Sequence, residues 1–256
     1  MRKKRNNNKP FTAMFRFYEE LNDFLPEEKR KITLHYNFDG NPSIKDAIEA
    51  QGIPHTEIDL IIVNEKSVGF EYHLKNGDHV GVYPMFESID ISPLVKLGEY
   101  PLRTPKFILD VHLGKLARLM RLCGFDTLYR NDYDDPEIIE LSVSQKRIIL
   151  TRDRALLHAR IITHGYCLRS TNAFEQLSEV IRRFDLNIIA PFSRCLSCNG
   201  TLDPVDKASI SDQLESKTKM YYDRFFRCKG CGRIFWKGSH FEKLESFVNR
   251  YRVSKR

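Results

Sequence analysis

Apolar residues recur at every second position over Phe11, Ala13, Phe15 and Phe17, and again over Ile32, Leu34, Tyr36 and Phe38. That period predicts two half-buried strands, joined through a turn region at Leu25-Pro26. Ser43 is placed to cap a short helix over Ile44 to Ala50, with Asp46 in its first turn and Gly52 as its stop. Two further strands follow, Leu60 to Val63 and His79 to Tyr83, the second entered through Asn76-Gly77-Asp78. Residues 88–105 carry Pro93, Gly98, Pro101 and Pro105 with no sustained period and read as a linker. Beyond it the pattern alternates strand and helix. Phe107 to Leu109 is a short buried strand closing on Asp110. A helix follows, with Leu113, Leu116, Ala117 and Met120 on one stripe, widened by Leu119 and Leu122 and ended by Gly124. Next come a strand over Phe125 to Tyr129 carrying Asp126, and a helix over Glu137 to Ser144 with Asp135-Pro136 as its cap and first-turn proline. A strand over Arg147 to Leu150, a helix over Arg154 to Thr163, a strand over Tyr166 to Leu168 and a helix over Ala173 to Phe184 complete an α/β order with a parallel sheet. Residues 1–10 lack apolar periodicity and read as a disordered basic tail, and residues 246–256 read as a second basic tail.

Composition narrows the class. With 256 residues and 41% hydrophobic content the chain has enough apolar side chains for packed cores. No run of about 18 apolar residues is present, which argues against a membrane span, and no apolar stretch follows the basic N-terminus as a secretory leader requires. The expected location is the cytoplasm. Lys and Arg total 41 against 34 Asp and Glu, a net charge of +7 that favours a polyanionic partner. Four of the 6 cysteines form two C-x-x-C pairs, Cys195/Cys198 and Cys228/Cys231, with 29 residues between them. Four thiolates at that spacing suit a closed, tetrahedral, structural Zn²⁺ site better than disulfides or redox chemistry. Cys123 and Cys167, standing alone, read as buried apolar residues.

The other chemistry is carboxylate. Asp110 and Asp153 each follow a predicted strand, and Asp132, Asp134 and Asp135 form an acidic turn between them. If the strands are parallel neighbours, Asp110, Asp135 and Asp153 meet at one sheet edge, where their mutual repulsion calls for a hard cation such as Mg²⁺ or Mn²⁺. Each acid taken alone is equally a helix cap, Asp135 most clearly so. A dehalogenase-type nucleophile would want an acid two residues after Asp110, where His112 stands, and no glycine-rich phosphate loop is present.

Two resemblances follow from these motifs. Ser43-Ile-Lys-Asp-Ala-Ile and Asn76-Gly-Asp-His-Val-Gly-Val-Tyr-Pro84 make residues 11–87 similar to a ubiquitin-like β-grasp domain of the sulfur-carrier type. The chain continues through Met85-Phe86-Glu87 where a carrier ends in a free Gly-Gly, so a binding or scaffolding role, possible for a protein partner, replaces carrier chemistry. Asp110-Val-His-Leu-Gly-Lys-Leu-Ala-Arg-Leu-Met-Arg-Leu-Cys-Gly-Phe-Asp126, then Asp132 to Asp135, then Ile149-Leu-Thr-Arg-Asp153, resembles the Mut-seven C-terminal RNase domain, a PIN-like nuclease family, which its prokaryotic members combine with a β-grasp domain and a zinc pair. The resemblance spans residues 11–245. It implies RNA cleavage with Mg²⁺ or Mn²⁺ at Asp110, Asp135 and Asp153. Arg154-Ala155 stands where PIN-like sites often carry a further acid, which leaves Asp126, Asp134, Glu137 and Glu140 as candidates for a fourth. Lys115, Arg118, Arg121, Arg130, Arg152 and Arg154 are candidates to hold RNA phosphates. A solvated helix face is the alternative for Lys115 and Arg121. Trp236 is a candidate for base stacking or for the core of the small zinc module, and His240, within Gly238-Ser239-His240, for a substrate contact. The expected architecture is a β-grasp domain, a PIN-like domain over 106–190 and a zinc ribbon over 191–245. The competing reading is a non-catalytic RNA- or protein-binding module with a structural zinc site.

Overall fold

The computed structural model describes residues 10–84, 105–238 and 241–253, with side chains described as far as Tyr251. The expected linker and N-terminal tail, and with them Ser239 and His240, lie outside the described residues apart from their bordering positions. The contacts divide the chain into two compact units. One lies within Met1–Pro101 together with Arg154–Gly165, the other within Leu102–Asp153 together with Tyr166–Arg256.

In the first unit, β1 (Phe11–Phe17), β2 (Thr33–Phe38), α1 (Ile44–Glu49), β3 (Leu60–Val63), β4 (Lys66–Val68) and β5 (His79–Tyr83) form a five-stranded sheet in the order β2-β1-β5-β3-β4. β1 pairs antiparallel with β2 and parallel with β5 at the centre, giving the mixed sheet of a β-grasp fold. The alternation that predicts β1 is found as burial at Ala13, Phe15 and Phe17, while Phe11 at its start is exposed; Ile44, Ala47 and Ile48 of α1 are buried in the same unit. Ser43 caps α1 by accepting from the Asp46 N–H at 3.1 Å.

The segment 154–165 departs from expectation. Its helix, α4, is confined to Arg154–Leu157. The remainder runs through the β-branched Ile161-Ile162-Thr163, which favours extended backbone. Arg154 donates to the carbonyls of Asp23 at 3.1 Å and Phe24 at 3.2 Å and lies over the Phe24 ring. Leu156, Leu157 and Ile162 are buried here. His55 is buried at 5% exposure, with Nδ1 2.6 Å from Glu49 and Nε2 2.7 Å from the Ile162 carbonyl.

The second unit holds β6 (Phe107–Leu109), α2 (Gly114–Leu122), β7 (Thr127–Leu128), α3 (Asp135–Gln145), β8 (Ile148–Thr151), β9 (Gly165–Cys167, from Tyr166 on) and α5 (Ala173–Arg183). The sheet order is β7-β6-β8-β9, with β6 parallel to both β7 and β8. Central strands β6 and β8 are buried at every position, as continuous apolar strands covered by helices on their faces must be. Leu116, Ala117 and Met120 of α2 and Leu177, Val180 and Ile181 of α5 fill the core between them.

Beyond this sheet, β10 (Leu202–Val205), β11 (Phe225–Cys228) and β12 (Ile234–Trp236) make a separate antiparallel sheet in that order. The excursion between β10 and β11 contains α6 (Ser216–Tyr221). The expected C-terminal tail is instead a helix, α7 (Phe241–Val253), because Phe241, Leu244, Phe247, Val248 and Tyr251 recur at helical spacing. Phe247 and Val248 are buried in the core of this unit.

Candidate active site and metal centre

The C-terminal ends of two adjacent parallel strands bring Asp110 and Asp153 to one sheet edge. Asp110 directly follows β6, and its N–H donates to the Leu150 carbonyl of β8 at 3.1 Å. The Thr151 hydroxyl ties the two acids together. It donates to Asp110 Oδ2 at 2.8 Å and accepts from the Asp153 N–H at 2.8 Å, with Thr151 itself 0% exposed. Asp110 is buried, whereas Asp153 is exposed. Sequence reasoning did not single out Thr151. Its signal was present as a hydroxyl residue two positions before an acid, the spacing of a side-chain turn.

Asp135 joins them from α3, which packs against β6 and β8. The cap of α3 is Asp134, not Asp135. Asp134 Oδ1 accepts from the Glu137 N–H at 2.9 Å, so Asp135 is the first helical residue and Pro136 the second. This corrects the reading of Asp135 as a cap and leaves its carboxylate for other work. Burial pushes the Asp135 carboxyl above its ordinary range, and the charges of Asp153, Asp110 and Asp134 push it the same way. Asp110, Asp135 and Asp153 therefore share one electrostatic site. Among the described residues their oxygens do not all fall within 4.8 Å of one another, the spacing that the four cysteines reach.

Asp126, a candidate fourth acid, lies elsewhere. It precedes β7, and its carbonyl accepts from the Phe107 N–H at the start of β6. In parallel strands the start and the end lie at opposite edges, so Asp126 is remote from Asp110. Its Oδ1 accepts from Arg147 at 2.7 Å and Asn199 at 2.8 Å, and Arg194 lies 3.2 Å from Oδ2. Burial alone would raise its pKa. The hydrogen bonds from Arg147 and Asn199, with the charges of Arg147 and Arg194, outweigh it and hold the carboxyl below the usual range.

The candidate phosphate-binding residues separate in the same way. Lys115, Arg118 and Arg152 are exposed and line one cavity of about 800 Å³ together with His112 and Arg130. Arg121 is 2% exposed. Its guanidinium donates to the carbonyls of Thr127 at 2.9 Å, Tyr129 at 3.3 Å, Leu196 at 3.0 Å and Ser197 at 2.9 Å, so it is a buried strut between α2 and the first cysteine pair and cannot meet RNA. Arg154, engaged with Asp23, Phe24 and the Phe24 ring, is likewise committed within the first unit. Trp236 is 41% exposed, with ring centroids 6.2 Å from Phe225 and 6.4 Å from Tyr222, at the border of the two roles considered for it.

The cysteines form the tightest ligand cluster. Their four sulfurs lie within 4.8 Å of one another, with Cys198 to Cys228 at 3.3 Å and Cys195 to Cys231 at 3.7 Å. These separations are too long for a disulfide of about 2.05 Å. They are close to the roughly 3.8 Å that tetrahedral Zn–S bonds of about 2.3 Å require. Four close cysteines thus suggest a zinc site, and the donor set fits the ion. A Cβ on Gly200 would stand 2.8 Å from Cys228 Sγ, so the turn beside the sulfurs needs glycine. Asn199, next to Cys198, accepts from the Thr127 N–H at 2.9 Å and joins this turn to β7.

Comparison with known proteins agrees with this layout. That layout is a β-grasp unit, a parallel α/β unit with an acidic sheet edge and a four-cysteine cluster. The family model described as Mut7-C RNAse domain matches residues 105–248, and the one described as Mut7-C ubiquitin matches residues 11–90. The first covers more than half of the chain, which therefore belongs to the Mut7-C RNase domain family, and a nuclease-related role on RNA follows. No curated protein and no solved structure matches it. Among the described residues no helix is long and apolar enough to cross a membrane.

Proposed function

We propose that the protein is a PIN-like ribonuclease that hydrolyses RNA phosphodiester bonds at Asp110, Asp135 and Asp153 with Mg²⁺ or Mn²⁺. The observation that carries this is the meeting of Asp110 and Asp153 at the ends of adjacent parallel strands, tied through the Thr151 hydroxyl, with Asp135 close enough that burial and their charges raise its pKa together. Oxygen donors of like charge fit a hard divalent cation, which relieves their repulsion. When bound, that ion supplies an activated water and stabilises charge on the scissile phosphate. The chain's own residues hold the geometry. Thr151 occupies one oxygen of Asp110 and orients it, while Lys115, Arg118 and Arg152 draw the RNA backbone to the same face of the domain. The four cysteines form a structural zinc ribbon, its net charge of about −2 with four thiolates offset by the buried Arg121 cation beside it. The β-grasp domain serves as a scaffold whose edge strands β2 and β4 are open to a protein partner, in a cytoplasmic setting.

The test is cleavage of end-labelled single-stranded and structured RNA by the purified protein with Mn²⁺, with Mg²⁺ or without divalent ion, beside Asp110→Asn and Asp153→Asn. Metal-dependent cutting lost in both folded variants is the expected result. RNA binding without cutting, unchanged in both, would establish a binding module instead.

A further inference from the structure

The cavity beside the acidic edge has a lining of one sign. Residues 111–116, 118, 129–131, 152, 171, 173, 176 and 197 line it, and among them are His112, Lys115, Arg118, Arg130 and Arg152 but no Asp or Glu. Arg130 is already neutralised. It donates to both Asp132 oxygens, at 2.9 Å and 3.1 Å, and to Glu137 at 2.9 Å. Among the described residues Lys115, Arg118 and Arg152 form no ion pair, so three uncompensated cations share one space. Like charges gathered in this way repel unless an anion joins them. At about 800 Å³ the cavity lies in the size range of small-ligand sites and exceeds what a lone inorganic anion needs. Its wall begins at Val111, one residue after Asp110, so its occupant adjoins the proposed reaction centre.

We propose that this cavity holds the terminal nucleotide of an RNA strand by its phosphomonoester. The proposal rests on the ribonuclease reading in taking RNA as the anion, and it adds which part of the RNA is recognised. An internal diester carries one negative charge, whereas a terminal monoester carries about 1.5 to 2 and three acceptor oxygens. Three cations meeting in one cavity match the second, since a strand passing through would be met by cations strung along a track. Gln176, buried at 4%, and exposed Asn131 and Thr171 add neutral polar groups to the same wall. Gly114 belongs to the design as well. A Cβ there would lie 2.6 Å from the Tyr129 hydroxyl, which donates to the Val111 carbonyl at 2.9 Å and holds the wall closed.

The experiment uses the full chain with its zinc, carrying Asp110→Asn to prevent cutting. Anisotropy measures its affinity for one internally labelled single-stranded RNA bearing a 5′-phosphate, a 3′-phosphate or hydroxyls at both ends. The expected result is that one phosphorylated form binds about tenfold more tightly than the hydroxyl form. Which end wins identifies the source of the monoester. Lys115→Ala and Arg118→Ala, both at exposed positions, should each erase most of that preference and weaken binding of the hydroxyl form less, and Arg152→Ala repeats the test from another segment. Equal affinity for all three RNAs, or a preference that survives all three substitutions, overturns the proposal. The native protein separates this from the nuclease reading. Cutting of all three RNAs at one rate, without an end preference in binding, sinks the pocket alone. An end preference in a protein that never cuts supports the pocket and sinks the nuclease reading.

Discussion

Replacing Asp126 by Asn distinguishes a structural acid from the catalytic ones. In the native protein one carboxylate answers Arg147, which is 7% exposed, Arg194, which is 23% exposed, and the amide of Asn199. The amide of an Asn at 126 can accept from one of these but carries no charge, so Arg147 is left as a buried cation without its counter-ion. Removing one member of a buried pair costs about 3 to 5 kcal/mol. The residual exposure of Asp126, 18%, and the 3.2 Å carbonyl bond that Arg147 keeps to Phe107 reduce this to about 3 kcal/mol. For a unit of this size that corresponds to a fall in Tm of roughly 6 to 12 °C. The assay is thermal unfolding of the zinc-loaded chain by circular dichroism, with wild type and Asp126→Asn compared across pH. Because the folded carboxyl is held below its ordinary value of 3.8, its contribution is fully present above that pH and is lost as pH falls through the folded value. The gap between the two proteins should be constant from pH 7 to 5 and close in acid below about 4. A variant that melts with wild type yet has lost RNA cleavage would refute this and restore Asp126 to the reaction centre.

Other substitutions probe the remaining parts. Asp135→Asn, and likewise Asp153→Asn, should lower cleavage on the order of 100-fold or more without lowering Tm, since each removes a ligand and also a repulsive charge; a melt that falls with activity would contradict this. Thr151→Val should reduce kcat roughly tenfold with RNA affinity kept, and Thr151→Ser should restore it, as a residue that orients Asp110 and Asp153 through its hydroxyl requires. Gly124→Ala puts a Cβ 2.1 Å from the Ala190 carbonyl at a φ of +93°, so a loss of at least about 2 kcal/mol is expected in chemical denaturation. Elemental analysis should find about one zinc per chain, and Cys198→Ser should lower both that content and the melting temperature of the second unit; full zinc retention would show that the cluster is not the site.

What the chain carries locally is legible in it. Alternation from Ala13 to Phe17 is buried as alternation, the stripe through Leu116 and Met120 faces the core, and the two C-x-x-C pairs close on one point. Each depends on neighbours within a few residues, or on a spacing that only one coordination geometry satisfies. The acids at 110 and 153 were placed by the rule that parallel strands end at a common edge. The same register decided against Asp126, whose partners Arg147 and Asn199 stand 21 and 73 residues away. Local pattern could not assign the helix cap to Asp134 over Asp135, since both are acids before a proline and the backbone alone selects which side chain turns back. Arg121 and Arg154 resembled their exposed neighbours Arg118 and Arg152 in type and spacing. Only tertiary structure aimed the first two at carbonyls of the first cysteine pair and of the β-grasp unit, and left the others facing the cavity. A guanidinium's role is set by which acceptors the fold brings within its reach, and those acceptors come from distant parts of the chain.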